Sequence, residues 1–292
     1  MTQPYTVDDV ARCCTLGLLL ELAITPKPGL VDRSSNPILF SQFMSSSISL
    51  YKHFRDAAEG RSVGGVVFDA CKDMLYWQHG GNTHLGALLL LTPLAKAAAG
   101  CNKFAELGTC LRFVLKNMDY TDTLGVFKAI KNVNPSHLGH VAYLDVYRDK
   151  TYVEITKRRI TVLDALQPYK GFEVVATEYS TCYRNSFTHG YSYLKKQVRK
   201  TDLNTAGINT FLNILKHLPD SHVARMHGGS AARMLSRMAG EVLDAGGAAT
   251  AKGRAMLQEL AEKISSAGFK PAATADVLAV SFTLLLLSGW RP

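Results

Sequence analysis

Apolar residues recur along this chain at helical spacing, and strand-like alternation is almost absent. Between Ile38 and Arg55 they fall at Ile38, Phe40, Phe43, Met44, Ile48, Tyr51 and Phe54, the stripe of one helix. Val66 to Trp77, Phe104 to Leu115, Leu124 to Ile130, Val162 to Leu166 and Glu173 to Phe187 keep the same period. So do Thr210 to Leu218, Ser230 to Ala245, Ala255 to Ala267 and Thr274 to Ser288. Two runs, Leu85 to Ala99 and Val277 to Trp290, are apolar on nearly every side. That pattern predicts helices buried at the centre of a bundle.

Starts and stops are also written in the chain. Thr6 followed by Asp9 marks an N-terminal cap, and the first helix runs to about Ile24, where Pro26 and Pro28 stop it. A helix over Asn82 to Ala99 follows Gly80-Gly81 and carries Pro93 as a kink. Thr274 reads as an N-cap, and Gly246-Gly247 and Gly268 as stops. Tyr152 to Ile160 is the exception: it alternates weakly and reads as an extended segment or an exposed excursion. No repeat and no linker interrupts the chain. The expectation is an all-α, single-domain multi-helix bundle over residues 1–292.

Composition narrows the class. Of 292 residues, 47% are hydrophobic and 20% charged, enough for a large core and too apolar for disorder. The apolar runs are too short to span a bilayer, and Asp8-Asp9 is wrong for a secretory leader. A cytoplasmic protein with no membrane partner is expected. Lys and Arg exceed Asp and Glu by 33 to 24, for a net charge of +9, which suits a polyanionic partner. The cations are scattered apart from Lys157-Arg158-Arg159 and Lys195-Lys196, and no known nucleic-acid motif occurs, so no nucleic acid partner is expected. The six cysteines form no C-x-x-C pair and read as reduced, mostly buried thiols. The sequence leaves a homo-oligomer open.

Chemistry collects in four stretches. Glu21 precedes Thr25-Pro26-Lys27-Pro28-Gly29-Leu30-Val31-Asp32-Arg33, a stiff backbone carrying a hydroxyl, an ammonium, a carboxylate and a guanidinium. That mix suits a phosphate chain and its metal, although a tight helix–helix connection would look the same. Gly80-Gly81-Asn82-Thr83-His84-Leu85-Gly86 leads into the most apolar helix, where free N–H groups favour an anion. Asn82 also fits a plain cap, and His84 a satisfied core histidine. Pro219-Asp220-Ser221 with Arg225 forms the third stretch, and Pro271 to Asp276 the fourth. Asp276 fits a helix-dipole acid, or a group facing a metal or cation.

Together these stretches resemble the triphosphoribosyl-dephospho-CoA synthase family, in its archaeal-type branch. The run E-L-A-I-T-P-K-P-G-L-V-D-R, Glu21 to Arg33, is the most specific match, followed by G-G-N-T-H-L-G, Gly80 to Gly86. Asn134-Pro135 with Leu138-Gly139 and Asp145-Val146, then Asp220 with Arg225, then Thr274-Ala275-Asp276 match in order. Departures are Leu85 where a basic residue is common, Lys270-Pro271-Ala272 for N-P-G, and Ser136-His137 for paired glycines.

The resemblance implies transfer of the triphosphoribosyl group of ATP to an alcohol, 3'-dephospho-CoA in the family, with adenine leaving. The transition state is oxocarbenium-like. It also implies roles. Glu21, Asp32 and His84 are the catalytic candidates. Thr25, Lys27, Arg33, Asn82, Thr83 and Arg225 are the ATP and phosphate contacts. Glu21, Asp32 and Asp276 would hold Mg²⁺. The departures point to a changed acceptor as the alternative, such as the sugar alcohol of a methanopterin-type cofactor precursor. A Mg²⁺-dependent hydrolase of ADP-ribose-type compounds needs similar carboxylates, and a basic nucleic-acid-binding helical module is the non-enzyme alternative.

Overall fold

The computed structural model describes residues 5–135 and 138–292, so the Ser136-His137 departure lies outside the described residues. Every regular element among the described residues is helical, as the periodicity predicts. Contacts divide the chain into two compact units, each discontinuous in sequence. The first comprises Met1–Thr15 and Gln42–Tyr183, and the second Leu16–Ser41 and Arg184–Pro292. The chain changes unit inside two helices, α1 (Val7–Ala23) and α2 (Pro37–Ser49), and again after Tyr183. No linker marks these crossings because two of them run through regular helix.

The first unit contains α3 (Tyr51–Ala58), α4 (Val63–Tyr76), α5 (Leu85–Ala99), α6 (Leu107–Asn117), α7 (Tyr120–Val133), α8 (Asp149–Arg158), α9 (Val162–Leu166) and α10 (Val174–Thr181). Helices α4 and α7 cross at Gly64 and Gly125, where a Cβ on either glycine would run into the backbone opposite. Asp122 accepts from the Gly64 N–H at 2.8 Å and pins that crossing.

Helix α5 is the predicted central helix, with Leu88, Leu90, Leu91 and Leu94 fully buried. Pro93 stands inside it and supplies no N–H to the Leu89 carbonyl four residues back. The Tyr179 hydroxyl donates to that carbonyl at 2.6 Å, and the Tyr183 hydroxyl to Leu90 at 2.8 Å.

Three expectations need correction in this unit. Tyr152 to Ile160 is neither extended nor irregular: α8 is a surface helix that buries only Thr151 and Ile155, too few apolar positions to print a 3.6 period. The stripe from Ile38 to Arg55 is two helices, broken at Leu50. Cys101 and Cys110 are not separate reduced thiols but a disulfide, with Cα atoms 6.3 Å apart across the turn from α5 to α6.

The second unit contains α11 (Ser192–Gln197), α12 (Leu203–His217), α13 (Ser221–His227), α14 (Gly229–Asp244), α15 (Ala251–Ser266) and α16 (Ala272–Leu287), with a π-helical turn at Ser186–Tyr191. Helix α16 is buried at every position from Val277 to Leu287. The two polar residues of that stretch cost little, because Ser281 and Thr283 return their hydroxyl protons to the carbonyls of Val277 and Ala279. The π turn and α12 pack around it, and Gly190 lets the turn approach Ser281 closely. Among the described residues, no helix is long and apolar enough to cross a membrane.

Candidate functional site

Three of the four chemistry-bearing stretches belong to the second unit, and the structure joins them there. Residues 24–35 form a strap that leaves the end of α1. Asp32, buried, gathers it: its carboxylate accepts from the Lys27 N–H at 2.8 Å, the Thr25 hydroxyl at 3.0 Å, and the Ser34 N–H and hydroxyl at 2.8 and 2.6 Å. Burial pushes its pKa up, but these donors outweigh that and hold it below the usual carboxylate range. The Asn204 side-chain amide clamps the Thr25 backbone from α12, accepting at 2.9 Å and donating at 2.6 Å.

Beneath the strap lies a buried ion pair. The Lys27 ammonium donates to the Glu21 carboxylate and, at 3.1 Å, to the Glu21 backbone carbonyl, with both side chains nearly inaccessible to solvent. Burial raises the Glu21 pKa against the lowering effect of Lys27. A proline-braced strap that seals an ammonium onto a carboxylate is a fixed arrangement, and a buried carboxylate whose pKa is raised is a candidate for proton transfer.

The strap rests on the connection between α15 and α16. Gly29 has φ +75°, and a Cβ there would strike the Phe269 carbonyl and stand 3.3 Å from the Pro271 ring. Past that connection, α16 begins at Ala272, not at Thr274. Thr274 therefore does not cap α16 by itself: its N–H and hydroxyl both donate to the buried Asp220 carboxylate at 2.8 Å. The same carboxylate accepts from the Val223 N–H at 3.0 Å in the first turn of α13. One buried acid thus caps two helices. Its burial raises its pKa against those hydrogen bonds.

Helix α13 carries the cations. Arg225 and His227 are exposed, and His227 packs edge-on to Phe269 at 4.7 Å. His222 bonds to the Lys270 carbonyl, and its pKa is depressed by burial first and then by Arg225, Lys270 and His227. Arg225 and Lys270, both exposed and both near enough to act on His222, form a cationic surface that suits a polyanion. Asn204 and His222 escaped the sequence reading, and Lys270 entered it only as a departure from N-P-G. A single Asn in a helix and a single Lys in a loop carry no periodic signal, and only the fold brings them to the strap.

The fourth stretch, in the first unit, is closed on itself. Asn82 accepts from the Leu85 N–H at 3.1 Å as a cap, and the Thr83 hydroxyl donates to Ser46 at 2.9 Å. His84 is 4% exposed, 2.9 Å from the Ser47 hydroxyl and 3.2 Å from the Phe43 carbonyl. Gln78 takes the Gly80 N–H and donates to the Gly81 carbonyl at 2.7 Å. These bonds make the loop an anchor between α2 and α5, closer to the structural alternative than to an open anion nest. Lys27 departs similarly from its expected role. It is buried against Glu21 and does not present its ammonium to solvent, while Arg33 on the strap is exposed.

The metal set is not assembled either. Among the described residues, no three His, Cys, Asp or Glu side chains are grouped for an ion. Glu21 is engaged by Lys27 and Asp32 by its donors, and Asp276 stands half-buried just beyond the first turn of α16.

A family model described as ATP:dephospho-CoA triphosphoribosyl transferase matches residues 7–292. A Pseudomonas fluorescens (strain Pf0-1) protein named a probable 2-(5''-triphosphoribosyl)-3'-dephosphocoenzyme-A synthase is 25% identical, over 97% of this chain and 93% of its own length. Proteins of the same name from Streptococcus equi subsp. equi (strain 4047) and Pseudomonas putida are 24% and 26% identical over 97% of this chain, covering 97% and 96% of their own lengths. A crystal structure from Archaeoglobus fulgidus, described as that of a triphosphoribosyl-dephospho-CoA synthase, aligns with TM-score 0.68 at 24% identity. It covers 85% of this chain and 100% of that one, and this likeness carries the fold.

Proposed function

This chain belongs to the ATP:dephospho-CoA triphosphoribosyl transferase family, and on that premise we propose that the second unit binds the triphosphate of ATP on its cationic surface and activates the acceptor beside Glu21. The family is a transferase that moves the triphosphoribosyl group of ATP to dephospho-CoA. In that reaction the bond from the ribose C1 to adenine breaks, and a bond from C1 to the acceptor oxygen forms. The acceptor hydroxyl loses a proton, and the departing adenine gains one. The match from 7 to 292 supports treating 1–292 as one functional domain.

One observation carries the reading. Strap, α13 and the α15–α16 connection assemble in one compact unit, setting a buried carboxylate of raised pKa under a loop beside Arg225, His222 and Lys270. Glu21 is the general base in this reading, with Lys27 fixing its orientation. Arg33 and Arg225 take the triphosphate, and Thr25 and Asp32 shape the strap. Asn82, Thr83 and His84 support the start of α5. Magnesium would enter with the nucleotide, and Asp276 would be the residue that holds it. Bound there, it would neutralise triphosphate charge.

The test is incubation with ATP, Mg²⁺ and dephospho-CoA, followed by mass analysis. Adenine together with a triphosphoribosyl adduct of dephospho-CoA is the expected result. Adenine released equally without an acceptor would replace this reading with hydrolysis. Adduct formation with a methanopterin-type precursor and none with dephospho-CoA would move the acceptor.

A further inference from the structure

Side chains of α4, α7 and α8 of the first unit line an open groove of about 420 Å³ that the reaction leaves unused. Phe68, Lys128, Lys131, Asn132, Asp149 and Tyr152 line it. Its volume falls within the roughly 300–1,000 Å³ of small-molecule sites. Lys128, Lys131 and Asn132 occupy one stripe of α7, three and four residues apart, so their heads share a face. Two half-buried aromatic rings stand on the flanking helices, Phe68 on α4 and Tyr152 on α8. An ammonium already sits against each ring: Lys72 lies 4.0 Å from the Phe68 centroid, and Lys131 5.4 Å from that of Tyr152.

Charge decides what would fit. Lys128 has no carboxylate partner among the described residues. Lys131 reaches only Asp149, at 3.3 Å, whose side chain is 96% exposed. An ion pair so open to water holds its lysine weakly, so the ammonium is readily drawn to a stronger anion. Tyr152 is fixed at the groove wall by packing on the cluster around Ile155 and by donating its hydroxyl to the Val146 carbonyl at 2.8 Å, so its ring is held in place for a ligand. Rings offer stacking surface to a flat heterocycle, and lysines at the rim offer charge to phosphate.

We propose that this groove binds a nucleotide, its base against Tyr152 and Phe68 and its phosphates on Lys128 and Lys131. The inference does not depend on which residues catalyse transfer. The site would give an adenine nucleotide a second place on an enzyme that already consumes one.

Calorimetric titration of the full chain with ADP tests it, beside a Lys128→Glu/Lys131→Glu variant. These exposed residues lie outside the proposed catalytic unit, so adenine release at saturating ATP and the melting temperature should stay at the wild-type level, and the latter certifies the variant's fold whether or not transfer occurs. Wild type should bind one more ADP per chain than the variant, or bind it about tenfold or more tightly at the site the lysines serve. Tyr152→Leu should weaken ADP there by about fivefold or more while leaving any pyrophosphate binding unchanged. Equal ADP stoichiometry and affinity in wild type and the lysine variant would overturn the proposal. So would pyrophosphate binding as tightly as ADP with no effect of Tyr152→Leu, because the groove would then be a phosphate patch only. Neither readout requires that transfer to dephospho-CoA occur, so a failure of the catalytic reading is seen separately.

Discussion

Glu21 and Lys27 share a pocket closed to water, so each fixes the charge state of the other. Lys27→Met removes the group that holds the Glu21 pKa down and leaves burial to push it further up. If Glu21 is the base, the acidic limb of the kcat/KM profile moves to higher pH in Lys27→Met, whereas Lys27→Arg keeps it near wild type. The same truncation costs about 3–5 kcal/mol of stability, as for one partner of a buried pair. An unmoved acidic limb in Lys27→Met would remove Glu21 from the mechanism. Asp32 has the opposite sign. Its folded pKa is depressed, so its contribution is present above the unfolded value, about 4, and is lost as pH falls through the folded one. Asp32→Asn should therefore cost about 1–3 kcal/mol near pH 7. Urea unfolding should show that gap narrowing as pH falls below about 4, and a constant gap would show that the carboxylate charge is not what holds the strap.

Elements are tied at their ends by groups from elsewhere in the chain. Asp220 caps α13 and α16 together, so Asp220→Ala strands N–H groups of two buried helix starts. A loss of about 2–4 kcal/mol is expected in thermal or urea unfolding, since two caps go at once. Asp220→Asn keeps one acceptor oxygen and should lose less. Pro93 and Tyr179 form the second tie, because the proline frees the carbonyl that the tyrosine then satisfies. Tyr179→Phe should cost about 1–3 kcal/mol in the wild-type background and clearly less in Pro93→Ala, where residue 93 regains its N–H. Equal costs in both backgrounds would mean that the hydroxyl is not answering the missing N–H. The pattern of the chain showed that α5 and α16 are buried and that Pro93 stands within α5. It did not show Tyr179 or Asp220 in these roles, because each acts across tens of residues on a backbone group that every residue type carries.

For the whole molecule, the ungrouped carboxylates separate metal dependence of activity from metal dependence of folding. Mg²⁺ should leave the melting temperature unchanged without nucleotide, and chelation should abolish adenine release while the fold persists. A Mg²⁺-induced rise in melting temperature without nucleotide would instead demand a preformed protein cage. Arg33→Ala and Arg225→Ala should each raise the KM for ATP by about tenfold while the melting temperature stays near wild type, as expected for exposed phosphate contacts.

The sequence by itself determined the helical class, the two buried helices, the first cap, the strap and the family to which the chain belongs. Each of these is a local property: a period, a breaker or a run of consecutive residues. The tertiary structure alone decided that Lys27 faces inward to Glu21 and that His84 anchors α5 against α2. It also placed Asn204, His222 and Lys270 around the strap, and made α8 a helix where the pattern is faint. These outcomes depend on which distant backbone and side-chain groups lose water together. A buried charge or an unsatisfied N–H selects its partner by position in space, and sequence spacing carries no record of that choice.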